Sequence, residues 1–171
     1  MKKEDWSWLA GTFWYVPELY LPAPQFSPDG EPPIWMSDQT VWQITEYEKG
    51  YFWGNCAVSV TLAEDAPAND TPNGLCLTGS ITPDGRVLMS FMPINPAGSA
   101  LATSGFGVTT LRETEWVFEM QMSANQNGSL LLHWAYMYQC RPGDAAWEEL
   151  PGTKYSVPGF LEAAGFSTDV N

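Results

Sequence analysis

His133 is the chain's only histidine, and with it stand three cysteines and twenty acidic side chains as the residues able to carry acid–base, nucleophilic or metal chemistry. An imidazole titrates near neutral pH, so His133 can serve as a general acid–base. It can equally be a hydrogen-bonded core or interface histidine. One histidine excludes any site or mechanism needing two. A carboxylate metal site would need residues such as Glu46, Glu115 and Glu119 to converge, which sequence spacing does not establish, and no metal is expected. Cys56, Cys76 and Cys140 are odd in number and lack CxxC or metal spacing. They read as reduced, packed thiols, with a single reactive nucleophile as the alternative. The chain has no phosphate-binding glycine loop, no dinucleotide fingerprint, no nucleophile elbow and no HExxH, and no cofactor is expected.

Net charge narrows the partners. At −13, from 20 acidic and 7 basic residues, the chain repels phosphate backbones and anionic bilayers. Neither nucleic acid nor membrane is an expected partner, although the aromatic residues could stack on bases. The charge serves solubility or draws a cationic ligand. Lys2 and Lys3 begin like a signal peptide, but Glu4 and Asp5 follow with no apolar core behind them. No apolar run reaches the length of a membrane span. A cytoplasmic location is the expectation.

The elements that must position these residues are strands. Nine Trp, eight Phe and seven Tyr in 171 residues suit pleated, half-buried surfaces, and the length suits one domain, residues 1–171. Val41, Gln43, Thr45 and Tyr47 alternate with Trp42, Ile44 and Glu46. Segment 51–62 returns after the Glu48-Lys49-Gly50 turn. Leu75 to Thr82 and Arg86 to Met92 flank Pro83-Asp84-Gly85, where proline presets φ and glycine accepts a positive one. A strand lies near Phe106 to Leu111. Residues 115–123 and 129–139 flank a turn ending in Asn127-Gly128. Segment 11–20 opens the series, with Pro17 marking an edge or bulge. About eight strands joined by hairpins predict an all-β fold, a closed antiparallel up-and-down barrel, with a two-sheet sandwich as the other architecture. The one helix expected is short and C-terminal, 158–164, with Pro158 near its start and Gly165 at its end.

Two loops frame the barrel. Residues 21–37 carry five prolines among Phe26, Ile34, Trp35 and Met36. They form either a stiff flap over one end or a loop packed outside. Residues 93–105, small and glycine-rich, can border an opening.

The order of these elements resembles the calycin group, the lipocalin-like and avidin-like barrels. Gly11-Thr12-Phe13-Trp14 opens the first strand, a long loop and hairpins follow, and Arg141 stands just beyond the last strand before a short helix. Lipocalins carry Gly-x-Trp there, and here the spacing is one residue longer. The resemblance implies a cup with a long first loop over it and a basic residue packed on the first-strand tryptophan. It also adds haem ligation to the roles open to His133, because some calycin-like barrels hold haem through one histidine.

Trp116, Phe118, Met120 and Met122 form an aromatic and methionine row, with Leu130, Leu132, Trp134, Tyr136 and Tyr138 as the expected partner row. Such rows are either packed core or the wall of a pocket. As a wall they make Trp42, Trp53, Trp116, Phe118, Met120, Trp134, Tyr136, Tyr138 and the loop residue Trp35 the ligand-binding candidates, the tyrosine hydroxyls orienting a guest. The opposite face inward would instead cluster Gln43, Asn55, Glu119 and His133, making His133 and Glu119 the catalytic candidates; a one-residue register shift exchanges the two pictures. The first expectation is a cytoplasmic lipocalin-like protein binding a small apolar or aromatic molecule in its barrel. The second is a small metal-independent isomerase, cyclase or decarboxylase using the same cavity. The third is a packed barrel acting through surface contacts. Homodimerisation is left open.

Overall fold

Period-two alternation with short turns produces one closed sheet. The computed structural model of the chain describes residues 5–62, 71–94, 102–126 and 128–168. The strands are β1 (Thr12–Tyr15), β2 (Leu21–Phe26), β3 (Ile34–Glu48), β4 (Tyr51–Leu62), β5 (Asn73–Ile81), β6 (Arg86–Pro93), β7 (Ala102–Arg112), β8 (Glu115–Gln126) and β9 (Ser129–Cys140). Every pairing is antiparallel. β3 to β9 follow one another around the ring. β1 and β2 lie end to end in the remaining position, both between β3 and β9. Nine strands thus fill eight places of a closed antiparallel barrel, as the hairpin pattern predicts.

The split place corrects two sequence expectations. Segment 11–20 is not one strand: it leaves the sheet after Tyr15, beside Pro17, whose missing N–H cannot serve a ladder. Buried Gln39 repairs the break. Its amide donates to the carbonyls of Val16 (3.1 Å) and Pro151 (2.8 Å) and accepts from the Thr40 N–H (2.9 Å). Residues 21–37 are neither flap nor external loop, because 21–26 and 34–37 are barrel strands joined through 27–33. Prolines 22 and 24 fit because β2 is short and shares its place in the ring with β1. The 93–105 expectation falls partly on β6 and β7, and its residues 95–101 lie outside those described.

One end of the barrel is closed. The turns at 49–50, 82–85 and 113–114 are tight, with φ of 51° at Lys49 and 55° at Glu113. A 3-10 helix, Ser7–Leu9, packs beneath them. Trp6 and Trp8 each stack 5.2 Å from Trp116, and the Trp6 indole donates to the Thr82 carbonyl at 3.1 Å. The longer connections, 27–33, 63–72 and 94–101, all join strands at the other end.

Inside, Phe118 sits 4.4 Å from Trp14, 5.7 Å from Trp42 and 6.5 Å from Phe52. These four rings fill mid-barrel. Met120 and Met122 occupy the space that side chains at Gly107 and Gly105 would need on the facing strand. A bulge between Ile44 and Glu46 reverses the alternation of β3, so Tyr47 joins Trp42 and Ile44 on the inner face while Glu46 points out.

A second core lies outside the ring. Helix α1 (Ala145–Glu148), which the sequence pattern did not mark, and helix α2 (Val157–Ala163) follow β9. Leu150, Val157, Phe160 and Leu161 pack on Phe13, Val41, Ala57 and Cys140, covering the outer face of β1, β3 and β4. α2 follows the predicted signals: the Ser156 hydroxyl accepts from the Gly159 N–H at 3.0 Å, Pro158 is in its first turn, and Gly165 (φ 92°) follows its end. All three cysteines are free; Cys76 is exposed, while Cys56 and Cys140 are buried.

Candidate functional site

The site is built from the register of the last hairpin. Gln126 opposes Ser129, so even positions of β8 face odd positions of β9: Met122 opposes His133, Met120 opposes Ala135 and Phe118 opposes Met137. These pairs point into the barrel. Trp134, Tyr136 and Tyr138 therefore point outward, opposite Gln121, Glu119 and Val117. The expected pairing of the 116–122 row with the 130–138 row is corrected: the two rows occupy opposite faces.

On the other side of the ring, Trp42 pairs with Cys56, Thr40 with Val58 and Asp38 with Val60, all facing inward. The two sides meet in the half of the barrel away from the tryptophan plug. There they form a cavity of about 40 Å³, lined by Asp38, Thr40, Trp42, Cys56, Thr103 and His133 among apolar groups such as Val58, Leu75, Phe91, Met122 and Met137.

Its polar groups are few and poorly satisfied. The Asp38 carboxylate is 1% exposed. It accepts from the Thr40 hydroxyl at 3.0 and 3.1 Å, and its Oδ2 lies 3.8 Å from His133 Nδ1. Burial raises the Asp38 pKa above its ordinary value, opposed by His133 and by the Thr40 hydrogen bond. Burial, reinforced by Asp38 and opposed by the Trp42 indole N–H, also pushes the Cys56 thiol up, which keeps it protonated and disfavours it as a nucleophile. Among the described residues, three buried polar atoms around this cavity form no hydrogen bond of ordinary geometry: Trp42 Nε1, which faces the Cys56 thiol, Thr103 Oγ1 and His133 Nδ1. Buried polar atoms are satisfied in the great majority of cases, so three orphans around one cavity mark a place where partners are missing.

The sequence-derived candidates divide between the faces. Trp42, Phe118 and Met120 are buried inside, and of these Trp42 alone lines the cavity. Trp116 faces in at the plugged end. Trp35, Trp53, Trp134, Tyr136 and Tyr138 lie on the outer face. Glu119 is outside as well, held by Arg112 (2.7 Å) and the Thr110 hydroxyl (3.1 Å). Glu119 and His133, expected together, are on opposite sides of the wall. Gln43 and Asn55 bond each other at 2.8 Å on the outer face, so the four-residue polar cluster does not form. Arg141 bonds Gln139 at 2.6 Å, and Gln139 is the cross-strand partner of Trp14; the basic residue thus reaches the neighbour of the indole, not the ring itself.

Sequence reasoning passed over Asp38, Thr40, Cys56 and Thr103 as site residues. For the first two a signal was present: counting back in steps of two from Trp42 puts Thr40 and Asp38 on its face. Thr103 had none, since it lies in the small-residue stretch taken for a loop.

The outer face holds a second concavity. Pro22, Pro24 and Trp35 form one side, Phe106 and Val108 the other, and Leu132, Trp134 and Tyr136 line it between them. Among the described residues no group of three or more metal-ligating side chains converges, and no helix is long and apolar enough to cross a membrane. Comparison with protein-family models, with curated proteins and with solved structures finds no match to the chain.

An apolar enclosure with one carboxylate, one imidazole, one indole N–H and one hydroxyl can do two things. It can hold a small molecule by a polar head, or exchange a proton with it.

Proposed function

We propose that the chain is a calycin-like binding protein whose barrel takes a small, largely apolar molecule with a single hydrogen-bonding head. The head lies against Trp42 Nε1, Thr103 Oγ1, His133 and Asp38, and the body lies against Met122, Met137, Phe91 and Leu75. The observation that carries this reading is the gathering of three unpartnered buried polar atoms on the wall of one otherwise apolar cavity.

The guest is small. An engineered cavity of about 150 Å³ admits benzene, whereas this one measures about 40 Å³. A guest of a few heavy atoms fits directly. An aromatic ring enters only as Met122 and Met137 change rotamer, which unbranched thioethers do easily.

A second reading has its own support in the 3.8 Å approach of Asp38 to His133. A carboxylate beside an imidazole orients the ring and stabilises its cation, which suits metal-independent proton transfer within a bound substrate, as in an isomerase. On that reading Asp38 takes the place expected for Glu119.

The test is a panel of probes, short alcohols and amides and then phenol, followed by thermal shift and tryptophan fluorescence. One-to-one saturable binding with a raised melting temperature is expected, since a ligand bound only to the folded state stabilises it. Trp42→Phe and Thr103→Val should each weaken binding by about 3- to 10-fold, the worth of one hydrogen bond. A panel without any stabilising probe, or variants that bind as the parent does, would overturn the reading.

A further inference from the structure

We infer that the outer face of β6 to β9 is a self-association surface, and that its occupant is a second copy of this chain. The inference is independent of the cavity. Among the described residues, the C-terminal segment covers the outside of β1, β3 and β4 and not the opposite wall. On that wall Phe106 is 62% exposed, Leu88 58% and Trp134 48%, with Leu132 and Val108 beside them and Trp35 across the groove. With their exposed apolar neighbours these side chains present roughly 700 Å², close to the 800 Å² that each partner contributes to a standard stable interface. These apolar side chains flank the polar outward row of β8, Glu119, Gln121 and Ser123, and monomers rarely leave so many large apolar groups on one face in water.

Charge decides which partner fits. Arg86, Arg112, Glu115 and Glu119 are the charged residues at the outward positions of these four strands, and they cancel. Arg112 is already paired with Glu119, and Arg86 with Asp84. The net charge of −13 is therefore carried elsewhere on the chain. A strongly basic partner would find no attraction here, and an acidic one no free cation. Another copy brings an equally neutral, equally apolar face, and a two-fold pairing presents the same patch from both sides. Like charge on the rest of each copy opposes the approach over about a Debye length, so salt should promote the dimer.

Sedimentation velocity over about 5 to 500 μM, at about 0.02 M and 0.5 M salt, tests this. A concentration-dependent shift from monomer to dimer is expected, with a larger dimer fraction at high salt. Phe106→Glu and Trp134→Glu, both at exposed positions, should each raise the dissociation constant by about 10-fold or more. Tyr51→Glu, exposed on β4 outside the patch, should leave it unchanged. Leu88→Lys serves if circular dichroism shows either patch variant unfolded. A monomer throughout, a dimer indifferent to the patch variants, or a dimer that dissolves as salt rises would each overturn the assignment. The first result would leave the face to a different protein.

Discussion

Asp38→Asn should make the empty protein more stable at alkaline pH, which is the reverse of the usual effect of altering a fully buried polar residue. The side chain is 1% exposed, and its charge is offset only by the Thr40 hydroxyl and by His133 at 3.8 Å. Taking a carboxylate out of water costs several kcal/mol, and a hydrogen bond to a charged group returns only about 1.5–3. Asparagine keeps the shape and an acceptor for Thr40 without the charge. The expected gain near pH 8.5 is about 1–3 kcal/mol, or roughly 3–10 °C in melting temperature for a domain of this size. Burial raises the folded-state pKa of Asp38 above 3.8, so the folded protein holds this proton more tightly than the unfolded chain. The parent's disadvantage is therefore absent below pH 3.8 and grows as pH rises through the folded-state value. Thermal melts of parent and variant from pH 3.5 to 8.5 should diverge upward from the acid end (the range being about 5 pH units). Repeated in a His133→Leu background, the gain should be larger, because the attraction of the imidazole is then gone from the parent. A variant no more stable than the parent at high pH would refute the argument that this carboxylate is held at a cost, and with it the case that it awaits a guest.

Native protein treated with iodoacetamide should lose one thiol quickly, Cys76, while Cys56 stays protonated by burial and Cys140, its pKa pushed up to about 12, reacts slowly; mass spectrometry after denaturation should find all three. Fast native labelling of Cys56 would contradict its placement inside the barrel. Gly107→Ala should cost about 2–3 kcal/mol in urea unfolding, because its new methyl meets the Glu119 carbonyl and lies 2.7 Å from Met120 Sδ. An unaffected midpoint would mean that β7 does not approach β8 as closely as described.

How much of this could be read beforehand is visible residue by residue. Alternation at 41–44 and 115–123, the Pro83-Asp84-Gly85 turn and the proline and glycine bounding α2 are local signals, and each led to the observed element; beyond Ile44 the bulge overturned the alternation and moved Tyr47 to the inner face. Closure into a ring followed from hairpin order. The face assignment of β9 was legible too: an Asn-Gly pair in the sequence predicts a tight hairpin, and with Gln126 and Ser129 as the closing pair even positions of β8 stand against odd positions of β9. Counting faces by apolar richness obscured it, because the outer row of β9 is as apolar as the inner one.

The sequence alone determined the strand periods, the tight turns, the sign of the surface and the absence of multi-histidine chemistry, since each depends on residues near one another in the chain or on a sum over all of them. Tertiary structure decided that Asp38 meets His133 across 95 residues, that Glu119 stands outside, and that Trp42, Thr103 and His133 leave polar atoms unpartnered in one cavity. The first and last of those relations join strands that are not neighbours in the ring. Such contacts depend on how a closed sheet coils and on which side chains fill its middle, and no local pattern encodes either.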